Sequence, residues 1–145
     1  MATIRAKESD NIVYYLFEPG LVKLATYSQK VFWGVTLMVF LFFWIFIGIG
    51  GAIGGVIAAG IAAIIFNIAV SSPKIDRWDK LSLVDLKKEK DARFIKWSEI
   101  ESAVLDTDKL KLVMLNKTHK LKIMANWNEA EKLLKRKLGN KLEIH

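Results

Sequence analysis

The chain has 145 residues, of which 22 are basic and 15 are acidic, and 52% of the residues are hydrophobic. These averages hide a sharp division, because the 43 residues between Lys30 and Lys74 contain no Lys, Arg, Asp, Glu or His. Residues 1–30 carry four basic and three acidic side chains, and residues 74–145 carry eighteen and twelve. A long apolar block between two charged flanks is typical of an integral membrane protein and excludes an evenly mixed soluble domain.

The N-terminal segment, residues 1–30, contains one run of apolar and aromatic residues, Ile12–Phe17, which stops at Glu18-Pro19-Gly20. The run predicts either an edge strand of a later sheet or a patch at a membrane surface, where tyrosine hydroxyls stay in water. We favour the strand. Residues 1–10 are predicted to be mobile, and residues 21–29 are predicted to lead as a helix into the block.

The apolar block predicts a transmembrane helical hairpin over residues 31–72. A spanning helix needs about 20 apolar residues, whereas a single helix through the whole block would be about 65 Å long. We predict helices near 31–49 and 52–71, joined at a glycine-rich turn around Gly48, Gly50 and Gly51. The alternatives are a re-entrant hairpin and a buried hairpin in a soluble protein, which the bulky apolar side chains of the first helix disfavour.

Small residues recur at every fourth position of the second helix, namely Gly51, Gly55, Ala59 and Ala63. This spacing lets two helix backbones approach closely in a membrane. The stripe predicts a helix-packing contact, either within the hairpin, which we favour, or to another subunit. Asn67 is the one strongly polar side chain deep in either helix, and it predicts an interfacial or interhelical hydrogen bond.

Basic residues follow the second helix closely, while the turn between the helices carries no charge. Because cytoplasmic loops hold the excess of Lys and Arg, we predict a multi-pass protein of the cytoplasmic (inner) membrane with both termini in the cytoplasm. Trp78 follows Lys74 and Arg77, a combination typical of the headgroup boundary. The absence of cysteine is compatible with a reducing compartment.

Residues 73–145 predict a small α+β cytoplasmic domain. Leu110, Leu112 and Met114 alternate with Lys109 and Lys111, a pattern typical of a half-buried strand. A second strand around Leu121 and Ile123 follows, joined by a predicted hairpin loop over residues 116–119. Three more strands are predicted at residues 81–86, 93–97 and 100–105, and a final helix with Asn126 and Glu129 as a capping box and Gly139 as C-cap. The pattern predicts an antiparallel sheet covered by a C-terminal helix.

The stretch Phe94-Ile95-Lys96-Trp97-Ser98-Glu99-Ile100, with the strand hairpin and amphipathic helix after it, resembles a known kind of domain. It is similar to the small pleckstrin-homology-like domains of the YcxB-like kind, found behind a two-helix anchor in many prokaryotic membrane proteins. The resemblance covers about residues 78–139. It implies a sheet of seven strands, in which Ile12–Phe17 would supply a missing edge strand, and an accessory or scaffolding role without fixed activity.

Catalytic chemistry is not predicted. The two histidines are His119, in the predicted hairpin loop, and His145, at the last position, and neither has a partner at metal-ligand spacing. No glycine-rich phosphate motif precedes a helix. Asp106 and Asp108 are interpreted as a solvated turn. We therefore predict no enzyme, no metal and no cofactor.

Basic side chains cluster around residues 87–93 and 132–137. Such clusters beside a membrane attract anionic headgroups, but they could also bind an acidic partner or face only solvent. Nucleic acid is disfavoured, because no aromatic residues interleave the lysines. The candidate headgroup- or partner-binding residues are Lys74, Arg77, Trp78, Lys87, Lys88, Lys132, Lys135 and Arg136.

The function we predict is that of a non-enzymatic, membrane-anchored accessory, assembly or scaffolding subunit of a larger membrane protein complex. About 70 soluble residues bury only a marginal core, so a supporting partner surface is expected. The predicted partners are membrane lipids and other membrane subunits or a second copy of the chain. The alternative is a module that binds the membrane surface or anionic lipid, and a small transporter or an enzyme has the least support.

Overall fold

The computed structural model describes residues 4–47 and 51–145 and divides the chain into two compact units. The sheet domain consists of residues 4–25 and 78–145, and the helical unit consists of residues 26–77. Together they form an α+β fold with a curled, mixed sheet. The strands are β1 Ile4–Ser9, β2 Ile12–Phe17, β3 Gly20–Ala25, β4 Arg93–Lys96, β5 Ile100–Asp106, β6 Lys109–Met114, β7 Lys117–Ala125 and β8 Leu142–Ile144. The α-helices are α1 Gln29–Ile47, α2 Gly51–Trp78, α3 Leu83–Leu86 and α4 Trp127–Leu138.

The eight strands form one sheet in the order β4-β3-β2-β1-β7-β6-β5-β8. Neighbouring strands are antiparallel except β5 and β8, which are parallel. The chain forms β1 to β3, leaves for the helical unit and returns to pair β4 with β3, so that Lys23 lies opposite Arg93. The two apolar helices are therefore an insertion between two neighbouring strands of one domain.

The main core lies on one face of the curled sheet, called here the inner face. Along β6, Leu110, Leu112 and Met114 are buried while Lys109 and Lys111 are exposed, which confirms the predicted alternation. Helix α4 adds its apolar side to this core. The buried residues of that helix are Ala130, Leu133, Leu134 and Leu138.

The opposite face of β2 and β3 is also covered. Val13, Tyr15, Val22 and Leu24 alternate with the core residues of the inner face and are buried. The hydroxyl of Tyr15 donates a 2.7 Å hydrogen bond to Asp79. The segment that follows α2 therefore lies against this face.

The N-terminal segment differs from the prediction. Ile12–Phe17 is a strand, but it lies between β1 and β3 and not at an edge. Most of the described part of the segment predicted as mobile forms β1. Of the predicted helical lead, residues 21–25 belong to β3 and only Gln29 is helical, as the first residue of α1. Gly20 permits the start of β3, because a Cβ added there would overlap the carbonyl oxygen of Ile95.

Several C-terminal elements also differ. Residues 83–86 form a helical turn in place of a strand, because the Ser82 side chain accepts a hydrogen bond from the backbone of Asp85. The β6–β7 turn is Leu115-Asn116, both with positive φ, so His119 lies in β7 and not in a loop. Asn126 makes no capping bond, but the helix that follows it and the Gly139 cap agree with the prediction. Strand β8 was not predicted.

In the helical unit, α2 continues through Pro73 to Trp78, beyond the predicted end at residue 71. Among the described residues one helix, Gly54–Trp78, is long and apolar enough to cross a membrane by length and composition, and the apolar stretch Gln29–Phe42 is shorter. The predicted fold-back glycines Gly48 and Gly50 lie outside the described residues.

Aromatic and hydroxyl contacts join the two ends of the helical unit. The Phe66 ring lies 6.1 Å from that of Phe32 and 5.4 Å from that of Tyr27. The Ser71 hydroxyl lies 3.0 Å from the Thr26 hydroxyl and donates to the Asn67 side chain at 2.9 Å. Asn67 therefore accepts a hydrogen bond from a residue of its own helix, whereas the predicted bond was interfacial or interhelical.

Candidate functional site

A pocket of about 240 Å³ opens on the inner face of the sheet domain. Four basic side chains line it: Lys23, Arg93, Lys117 and His119. Tyr14 and Glu99 contribute the other polar groups, and the apolar part of the lining comes from Ile95, Met114 and Leu115. We call it the basic pocket.

One wall of the basic pocket is a row across three strands. Tyr14 of β2 pairs directly with Lys23 of β3, and Lys23 pairs with Arg93 of β4. Directly opposed residues of neighbouring strands point to the same face. Because Tyr14 belongs to the main core, Lys23 and Arg93 also lie on the inner face.

The other wall comes from β7 and the turn before it. Lys117 and His119 have the same parity as Leu121 and Ile123, which are buried in the main core. The inner face therefore changes from apolar to basic along β7. Helix α4 contacts the opposite ends of the strands, because its residue Trp127 donates to the carbonyl of Thr107 in the β5–β6 turn.

Glu8 contacts two of the four basic side chains. Its carboxylate accepts hydrogen bonds from His119 Nδ1 at 2.6 Å and from the Tyr14 hydroxyl at 3.0 Å, and it forms a 3.4 Å ion pair with Lys23. Burial raises the pKa of Glu8, but these hydrogen bonds and positive charges outweigh burial and hold the pKa below its ordinary value. Burial, followed by the charge of Glu8, raises the pKa of Tyr14 far above its ordinary range, so Tyr14 is a neutral donor.

Arg93 and Lys117 differ from the other two basic side chains. Both side chains are exposed, and neither forms an ion pair with any residue in the described part of the chain. The nearby carboxylate of Glu99 accepts a 3.0 Å hydrogen bond from the backbone N–H of Lys96. Two basic side chains of the pocket, from two strands, thus have no ion-pair partner among the described residues, and the carboxylate of Glu99 belongs to the same lining.

A second cavity, of about 670 Å³, lies beside α4, and we call it the α4 groove. Its volume is within the roughly 300–1,000 Å³ that ligand pockets occupy. Leu81, Leu83 and Leu133 are among its apolar residues, together with Ile4, Leu16 and Phe17. Charged residues also line it, namely Glu18, Glu129, Lys132 and Arg136.

The basic residues predicted on α4 are paired within the sheet domain. Lys132 lies 3.7 Å from Glu129 and Lys135 lies 2.6 Å from Glu131. Arg136 pairs with Glu18, as does Lys137 at 2.8 Å. The hydrogen bond from Lys137 contributes most to a lowered pKa of Glu18. Exposed pairs contribute little to stability, but they reduce the net charge that this helix offers to a headgroup.

The other candidate headgroup residues are dispersed. The Lys87 ammonium lies 3.5 Å from the centre of the Phe94 ring, and Lys88 lies 3.7 Å from Asp85. Lys74 donates to the carbonyl oxygen of Thr26, and Arg77 is exposed.

Trp78 is 2% exposed, so its ring is not at a headgroup boundary. Its indole nitrogen has no hydrogen-bond partner among the described residues. The sequence grouped Trp78 with Lys74 and Arg77, but these two side chains are exposed whereas the Trp78 ring is buried.

The small-residue stripe of α2 lies on one described face. Gly55 and Ala59 are buried and Ala63 is partly buried, whereas the surroundings of Gly51 lie outside the described residues. Ala59 and Phe66 are seven positions apart and share a helix face. Because Phe66 contacts Phe32, this face is directed towards α1.

Sequence reasoning missed the basic pocket. Glu8 and Lys23 lie in β1 and β3, which the sequence did not predict as strands. Tyr14 lies in the predicted strand β2, but the sequence did not indicate which face of this strand is directed inward. One signal was available, since Lys117 and His119 continue the inward alternation of Leu121 and Ile123.

The described residues contain no group of three or more His, Cys, Asp or Glu that could hold a metal ion. Comparison of the chain with known protein families, with curated proteins and with solved structures found no match.

Proposed function

We propose that this chain is a non-enzymatic, membrane-anchored accessory or assembly subunit of a larger membrane protein complex. In this proposal α1 and α2 form a two-helix transmembrane hairpin in the cytoplasmic membrane, and the sheet domain lies on the cytoplasmic side. The observation that carries the proposal is the apolar surface of the two helices.

Large apolar side chains of α1 and α2 are exposed within the chain itself. Trp33 is 62% exposed, Met38 76% and Ile45 72% in α1. In α2 the same holds for Val56, Ile57, Ile61, Ile64, Ile65 and Ile68. Contiguous apolar surface of this kind marks a membrane or protein contact, and lipid would cover both helices on all their outer faces.

The place of the helices in the chain supports a hairpin. They connect β3 to β4, which are neighbours in one sheet, so the chain must return to the domain from which it left. Two spans satisfy this requirement, whereas one span would leave the two strands on opposite sides of the membrane. The basic residues after α2 then favour a cytoplasmic sheet domain.

The strand order supports the resemblance to the pleckstrin-homology-like, YcxB-like kind. Seven antiparallel strands run β4-β3-β2-β1-β7-β6-β5, and α4 packs on their inner face. Strands β1 to β3 complete the core, so the small size expected for the soluble part is no longer an argument for a partner.

Support for a protein partner comes instead from the α4 groove. Its apolar residues offer a place for apolar side chains of a partner segment, and its charged residues Glu18, Lys132 and Arg136 already have partners of opposite charge. A charge-paired, apolar groove favours a protein contact over an anionic lipid surface, which would need unpaired cations on α4.

Reporter fusions test the topology. Fusions at residue 1 and residue 145 should both report the cytoplasm, and a reporter inserted at residues 48–50 should report the opposite side. A cytoplasmic signal from all three positions would contradict the transmembrane hairpin.

Copurification in a mild neutral detergent, read by mass spectrometry, tests the subunit role. The Leu81→Ser/Leu83→Ser variant should lose a partner that the wild type retains, because both leucines line the α4 groove. Val84→Ser is the matched control, since Val84 is exposed and does not line the groove. If the wild type copurifies with no other membrane protein, the accessory role is wrong.

A further inference from the structure

The basic pocket has the arrangement of an anion site. Its basic side chains come from three strands, with Lys23 on β3, Arg93 on β4 and both Lys117 and His119 on β7. Glu8 binds Lys23 and His119 and holds them in place. Arg93 and Lys117 remain without an acidic partner among the described residues, and both line the same cavity.

We propose that the basic pocket binds a phosphate group, carried by inorganic phosphate or a small phosphate monoester, through Arg93 and Lys117. Lys23 borders the same cavity, whereas the Tyr14 hydroxyl and His119 Nδ1, which also border it, donate to Glu8. The inference goes beyond the proposed subunit role and does not depend on it, because the pocket lies entirely within the sheet domain.

The size and lining of the pocket indicate a small ligand. A volume of about 240 Å³ is below the roughly 300 Å³ at which pockets for drug-sized ligands begin. Arginine offers a planar fork of donors to phosphate oxygens and lysine offers a point charge. Ile95, Met114 and Leu115 give the apolar surface on which the organic part of a monoester would rest.

The negative charge of Glu8 leads to a specific expectation about phosphate affinity. This carboxylate competes with any anion for Lys23 and His119, since it forms an ion pair with Lys23 and accepts a hydrogen bond from His119 Nδ1. Glu8→Gln should therefore strengthen phosphate binding severalfold. A gain of affinity is informative, because mere damage to the fold would weaken binding.

The test uses the full chain in nanodiscs of neutral lipid, titrated calorimetrically with inorganic phosphate and with glycerol 3-phosphate. We expect saturable binding that Arg93→Gln/Lys117→Gln weakens on the order of tenfold for each lost charged donor. The control is Lys96→Gln/Lys120→Gln, which removes the same charge from the same two strands on the opposite face. Lys96 and Lys120 are exposed, so this variant should bind like the wild type.

A second arm identifies the source of the phosphate group. If phosphatidic acid in the nanodisc weakens the binding of inorganic phosphate, the natural ligand is a lipid headgroup, and if it has no effect, the ligand is a soluble phosphate. Both results support the site. The absence of saturable binding by the wild type, or an equal loss in the pocket and control variants, overturns the proposal.

Discussion

Trp97 connects the two stretches of chain that build the sheet domain. Its ring is 8% exposed and belongs to the main core. Its indole N–H is shared between the carbonyl oxygens of Phe17, at 3.0 Å, and Glu18, at 2.9 Å. These carbonyls lie at the β2–β3 turn, before the helical insertion, whereas Trp97 follows it. The residue therefore links the N-terminal strands to the C-terminal ones.

Two substitutions separate packing from hydrogen bonding at Trp97. Trp97→Ala should lower the free energy of unfolding by about 3–5 kcal/mol, the usual cost of removing a buried aromatic ring. Trp97→Phe retains most of the ring and loses the shared hydrogen bond, which corresponds to about 1–2 kcal/mol. Since domains are stable by only about 5–15 kcal/mol, the alanine variant should be close to unfolding.

Pulse proteolysis of the full chain over a urea series in neutral detergent measures these changes. Trp127→Ala is the control, because Trp127 also donates to a backbone carbonyl but is only partly buried. Trp127→Ala should lower the free energy of unfolding by less than Trp97→Ala does. If Trp97→Ala lowers the free energy of unfolding by less than about 1 kcal/mol, or by the same amount as Trp127→Ala, a role for this ring in the core is contradicted.

Three further outcomes are expected. Replacing residues 26–77 by a flexible Gly/Ser linker should give a soluble, folded domain with dispersed amide NMR signals, whereas residues 78–145 alone should stay unfolded because they lack β1 to β3. Ala59→Leu should separate α1 from α2 and reduce cysteine crosslinking between them, while Gly60→Leu should not, since no atom lies within 4 Å of a Cβ added at Gly60. Because the pKa of Glu8 is lowered from 4.5 on folding, the stability difference between wild type and Glu8→Gln should be full above about pH 5 and vanish as the pH falls through the lower, folded-state value.

A fragment that begins after the helices is therefore not a valid version of the soluble domain. Sequence reasoning treated residues 73–145 as a domain because charge and hydropathy change abruptly at Lys74. The sheet, however, takes β1 to β3 from the other side of the apolar block. Composition marks where an apolar segment ends, but it carries no information about which strands pair across it.

Local periodicity was sufficient for several elements. The charge-free block indicated two helices, the alternation of Leu110 and Leu112 indicated β6, and the apolar side of residues 127–138 with Gly139 indicated α4. Each of these signals is contained within about one element, where side-chain direction follows directly from backbone geometry. The sequence alone also predicted the α+β class of the C-terminal part.

Pairing over long distances was decided only by the tertiary structure. Strand β1 is short and charged, and it is stable because β2 and β7 supply hydrogen bonds on both sides. The basic pocket joins residues from Tyr14 to His119, and Glu8 meets His119 across 111 positions. Trp78 looked like a headgroup residue but is buried. Side-chain burial and charge pairing depend on which strands become neighbours, and that follows from the packing of the whole domain and from no single stretch of its sequence.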